Sequence, residues 1–141
     1  MTHTVTYAVM RDKGVCAFID TKDYIDDVSK FKKLTLHLST DVENALFDSM
    51  TQQERKPFNT VGLLLSVSPL GSWGVREPSL EAASGAKSWF CSEMLSCLLG
   101  AHGVFKNDEG EEQDDFIPSK TTPGQLHDML LKAPSCREYD V

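Results

Sequence analysis

The chain has no CxxC pair, no basic cluster beyond Lys30, Lys32 and Lys33, no long apolar run, and no basic-then-apolar start of the secretory kind. Each lack removes a class of protein. Four cysteines, Cys16, Cys91, Cys97 and Cys136, are spread through 141 residues, a spacing that indicates neither a disulfide scaffold nor a zinc site. Cys91 and Cys97 share one predicted helix at about 9 Å of rise, too far apart to bond to each other. With 14 Lys and Arg against 21 Asp and Glu, the formal charge is -7, which argues against an electrostatic grip on nucleic acid or anionic lipid. A membrane span needs roughly 18 consecutive apolar residues, and no stretch approaches that. No metal-ligand constellation or phosphate-cradling glycine motif is present, so no cofactor is expected. These exclusions leave a cytoplasmic protein with neither nucleic acid nor a transmembrane segment in its account.

Apolar content of 40% and charged content of 25% fit a folded globular chain, and the length fits one domain over residues 1–141. Residues 4–10 alternate Val5, Tyr7 and Val9 with Thr4, Thr6 and Ala8. They predict a strand that turns at Asp12-Lys13-Gly14 into a hairpin partner over residues 15–19. Residues 34–39 alternate Leu34, Leu36 and Leu38 with Thr35, His37 and Ser39, which predicts a third strand with one buried face. Thr40 and Glu43 fit a capping box, and Val42, Ala45, Leu46, Ser49 and Met50 then follow helical spacing, so a helix is predicted over 41–53. Residues 60–68 fit a strand or a short helix equally. Residues 69–87 carry Pro69, Gly71, Gly74, Pro78 and Gly85 and predict a long loop of the kind used for lids or binding.

The stretch Trp89-Phe90-Cys91-Ser92-Glu93-Met94-Leu95 opens an apolar helix predicted over 90–101, stopped by Gly100 and Gly103. Ser92, Glu93 and Ser96 share one narrow polar face, so this helix should be largely buried. Cys91 stands at its start, where free N–H groups and the positive dipole end favour a thiolate, and it is therefore a candidate nucleophile; the plain alternative is a small buried hydrophobe. Residues 107–115 hold six acids in an arrangement that does not match a calcium loop, and read as a solvated acidic segment. Thr122, Pro123 and Gln125 supply a cap, a proline at the first helical position and a capping-box partner for a last helix with Leu126, Met129 and Leu130 facing inward.

A cysteine nucleophile needs a base, usually histidine. His102 lies about 16 Å from Cys91 along a continuous helix and is excluded. His127 stands between apolar positions and reads as structural. His37 is out of phase with the leucines of its strand, and His3 begins the first strand at the edge of the sheet.

Phe90-Cys91-Ser92-Glu93 opening an apolar helix resembles the aromatic-Cys-Ser-Glu motif of circularly permuted papain-like proteins of the NlpC/P60 superfamily. A hairpin with Gly14-Val15, the Lys22-Asp23-Tyr24 segment, Pro57-Phe58-Asn59 with Gly62, and the proline-started helix over 123–131 follow the order of that family. The resemblance implies an α+β fold, with an antiparallel sheet packed against a central helix that carries the cysteine. It also implies that Cys91 is the nucleophile. In the family the histidine sits on an early strand, one strand before the hairpin that here opens the chain, so either His3 takes the role, the strand is missing, or the protein is an inactive relative. The implied chemistry is hydrolysis or acyl transfer on an amide, ester or thioester through an acyl-thioester, with a peptide, amide or lipid acyl substrate and peptidase or amidase activity favoured. The alternative is a catalytically inactive protein-interaction module. Similar proteins occur in bacteria and large DNA viruses, and a viral member would work in the host cytoplasm.

Overall fold

The computed structural model describes residues 5–10, 15–20, 33–57, 59–66, 68, 74–106, 116–133 and 136–139. Its elements run β1 (Val5–Met10), β2 (Val15–Asp20), β3 (Lys33–Leu36), α1 (Thr40–Gln52), α2 (Thr60–Ser66), α3 (Leu80–Gly85), α4 (Cys91–Ala101), a 3-10 turn (Pro118–Lys120), α5 (Pro123–Lys132) and β4 (Cys136–Tyr139).

The expected α+β architecture is not what forms. Among the described residues, strands form two separate two-stranded ladders, β1 with β2 and β3 with β4. The elements packed on α4 are α1, α3, α5 and the 3-10 turn, so helices surround the cysteine helix where a sheet was expected. The composition of α4 explains this. Met94, Cys97, Leu98 and Leu99 point to several sides, and residues 92–94 and 96–100 are all buried. A helix apolar all round needs partners all round, and amphipathic helices can lie on each side of it where one flat sheet cannot. The ladders are antiparallel, with Val5 opposite Asp20 and Met10 opposite Val15 in one, and Leu36 opposite Cys136 in the other.

Two apolar clusters share α4. Val75, Ala83, Trp89, Met94, Cys97 and Leu98 form the first, with Cys91, Leu46 and Met50 packed against it. Leu99, Val104, Phe105, Leu126 and Ala133 form the second, joined by Leu36, Leu38 and Phe116. Trp89, Phe90, Met94 and Leu98 are almost wholly withdrawn from water, each contributing roughly 1.5–3 kcal/mol of transfer free energy.

Several local expectations also shift. The third strand ends at Leu36, and Ser39 rather than Thr40 caps α1, its Oγ accepting from Val42 N. Residues 60–66 are helical, begun by Asn59, whose Oδ1 accepts from Gly62 N at 2.8 Å. The predicted long loop contains α3, capped by Ser79 through Ala82 N. Gly100 lies inside α4, where a Cβ would come within 2.7 Å of Pro78 and 2.8 Å of Phe116. Its role is close approach, and Gly103, at φ +78°, makes the left-handed stop. The box at Thr122 and Gln125 forms as expected, with Pro123 in the first turn. The acidic segment over 107–115 lies outside the described residues, apart from its continuation at Phe116.

Candidate functional site

Phe90 is the N-cap of α4 and offers no side-chain oxygen to the first turn. The thiol of Cys91, the first helical residue, is free and partly buried. Backbone bridges set this entry point: Trp89 N donates to Pro57 O at 3.0 Å and Asn59 N to Trp89 O at 2.9 Å. The Trp89 indole N–H donates to Gln53 Oε1 at 3.0 Å, and the Lys56 ammonium stands 5.8 Å from its ring centroid while donating to Ala83 O at the end of α3. The residue before Phe90 is therefore locked from three directions. A cavity of about 390 Å³ lined by Gly74, Val75, Ala82, Gly85, Ala86 and Ser88 borders the cluster on which Cys91 packs, sharing Val75, Ala82 and Ala86 with it.

Glu93 completes the helix start from inside. It is 0% exposed, and its Oε2 accepts from Val75 N at 3.0 Å. Ser119 N donates to Val75 O at 2.9 Å, so both polar backbone groups of Val75 are held, one by α4 and one by the 3-10 turn. Gly74, at φ +150°, lies against the carboxyl so closely that a Cβ there would overlap Oε2. Burial pushes the Glu93 carboxyl up to about 7, against the pull of the Val75 and Phe90 N–H groups. Glu93 Oε1 and the hydroxyls of Ser92 and Ser119 are buried without a partner among the described residues. The expected narrow polar face is thus the most enclosed part of the helix. Cys97 is buried too. Its thiol, near the carbonyls of Ser79 and Glu77, is pushed up to about 11, mainly by burial, and is no nucleophile.

The histidines separate by place. His102 caps the far end of α4, and the side chain of His37 is exposed and lines a cleft with it, about 16 Å of helix away from Cys91. His37 is therefore removed as a base. His127 lies on α5 with Nδ1 3.8 Å from Asp128 Oδ1, beside Leu126, which packs with Leu99. His3 lies outside the described residues. No group of three or more metal-ligating side chains comes together among the described residues, and no helix among them is long and apolar enough to cross a membrane.

Sequence reasoning placed Cys91 at the helix start but gave Glu93 only an electrostatic part there. The clamp on Val75 was missed because Gly74 and Ser119 are remote in sequence, and only an acid inside an apolar helix start hinted at it. Comparison of the chain with protein-family models, curated proteins and solved structures finds no match.

Proposed function

We propose that the chain is a cysteine-dependent hydrolase or acyltransferase in which Cys91 is the nucleophile and His3 the base. The observation that carries this reading is a free, partly accessible thiol at the first position of an 11-residue helix whose cap leaves the first-turn N–H groups unoccupied by a side chain. Those N–H groups suit an oxyanion. The thiolate attacks the carbonyl carbon of an amide, ester or thioester, and the imidazolium passes its proton to the leaving group. Water or another acceptor then resolves the acyl-thioester. His3 is assigned the base because His37 and His102 stand at the opposite end of α4 and His127 lies on α5 beside Asp128. Peptide and amide substrates are favoured, and lipid acyl groups belong to the same chemistry.

A second reading, a non-catalytic protein-interaction module, is favoured by Val61 and Leu64. These are 54% and 65% exposed and stand one turn apart on α2. Mass spectrometry of the intact chain after exposure to an activated thioester decides between the two. The catalytic reading expects an acyl adduct on Cys91 that turns over, disappears in Cys91→Ser, and forms at least about 100-fold more slowly in His3→Ala. Adduct formation no faster than on the unfolded chain, or turnover that survives Cys91→Ser, overturns it.

A further inference from the structure

A second group of titratable side chains gathers at the C-terminal end of α4. His37, Ser39 at the start of α1, His102 and Lys106 line a cleft of about 190 Å³. His102 is oriented from behind. Its Nε2 lies 2.9 Å from Ser49 Oγ, which is itself 2.9 Å from the carbonyl of Ala45 one turn earlier in α1. A serine has one hydroxyl proton. Donating it to Ala45 O leaves Oγ as the acceptor from His102, so the assignment that satisfies both contacts puts the ring proton on Nε2. A neutral imidazole protonated on Nε2 carries a lone pair on Nδ1. Neither that nitrogen nor the exposed His37 imidazole has a hydrogen-bond partner among the described residues.

We propose that His37 and His102, through its Nδ1, bind one divalent transition-metal ion in this cleft, with water completing the coordination sphere. Imidazole suits zinc, copper and nickel. A metal-ligating histidine characteristically donates its other ring N–H to an oxygen that fixes the tautomer, which is what Ser49 does for His102. Two protein ligands fall short of the four that close a structural zinc site, so the ion is exchangeable. The exposed ammonium of Lys106 is on a flexible stem and can turn to water. Asp41 and Glu43 flank Val42, another residue of the cleft lining, in the first turn of α1. The same side chains would superficially suit a phosphate, but an anion would meet the Nδ1 lone pair instead of a donor.

The test is an NMR titration of the full chain with Ni²⁺, reading paramagnetic broadening of the four histidine rings, with inorganic phosphate as the second probe. The expected result is joint broadening of His37 and His102 below one equivalent, with His127 unaffected. His37→Ala, a change at an exposed side chain, should raise the Ni²⁺ needed at least about 10-fold. Ser49→Ala keeps both imidazoles and should weaken binding by about 10-fold or more through loss of tautomer control. Broadening that follows His127 equally, binding unchanged by His37→Ala, or shifts produced by phosphate and not by Ni²⁺ would each overturn the assignment.

Discussion

Glu93 makes the stability of this protein depend on pH with a sign opposite to that of most surface carboxylates. Its ordinary value of 4.5 rises to about 7 in the fold because the buried carboxyl loses water and gains only backbone N–H partners. A carboxyl whose folded value exceeds its unfolded one binds a proton more readily when folded. The stability linked to it is complete below pH 4.5 and is lost as pH rises through about 7. At 1.36 kcal/mol per unit, the shift corresponds to about 3 kcal/mol. Glu93→Gln isolates this effect, because the amide oxygen can still accept from Val75 N while the group no longer ionises. Urea unfolding across this range should show wild type and Glu93→Gln close together near pH 5 and the variant more stable by about 3 kcal/mol near pH 8. Parallel stability curves for the two proteins would refute the argument, since they would mean that Glu93 gains and loses its proton alike in both states.

Three further predictions each rest on a particular contact. Gly74→Ala places a methyl group on the Glu93 carboxyl at a backbone angle unsuited to L side chains; chemical denaturation should show a loss above about 2 kcal/mol, and a smaller loss in a Glu93→Ala background. Trp89→Phe keeps the ring in the first core cluster but strands Gln53 Oε1, a change expected to cost about 1–3 kcal/mol in thermal or urea unfolding. Lys120 Nζ holds the carbonyls of Leu65 and Ser68 at 2.9 and 2.7 Å, so Lys120→Met should raise amide exchange in α2 while leaving α4 protected.

What could be read from the sequence was local. The box at Thr122 and Gln125, the helix over most of 41–53 and the buried helix beginning at Cys91 depend on residues within a few positions of each other, and the structure contains all three. Ser39 displaced Thr40 as cap because two adjacent hydroxyl residues offer the same chemistry and only the backbone path chooses between them. α3 was hidden by the flanking prolines and glycines, although Ser79 and Glu81 carried a start signal. The error in architecture was of a different order. Alternation in residues 4–19 and 34–39 predicts strands, but nothing local says whether strands join into one sheet or which face of α4 they meet, and here helices hold that place. The side-chain arrangements divide in the same way: the place of Cys91 at the start of one helix was legible, whereas the Gly74–Glu93–Ser119 and Ser49–His102 arrangements depend on distant segments.

The length of α4 keeps its two ends chemically independent. Cys91 opens the helix and His102 closes it, with about 16 Å of rise between them, beyond any hydrogen bond and about twice the screening length in physiological salt. The thiol end is built on the first core cluster and the Glu93 clamp, and the imidazole end on the second cluster and α1. A metal at His37 and His102 therefore cannot supply the base or oxyanion partner that Cys91 needs, and acylation of Cys91 should not compete with Ni²⁺. If Ni²⁺ at one equivalent leaves the rate of Cys91 acylation unchanged while broadening His37 and His102, both assignments survive together. Inhibition of acylation by Ni²⁺ that persists in His37→Ala would instead place the metal on the thiol, and would remove the imidazole site without deciding the chemistry of Cys91.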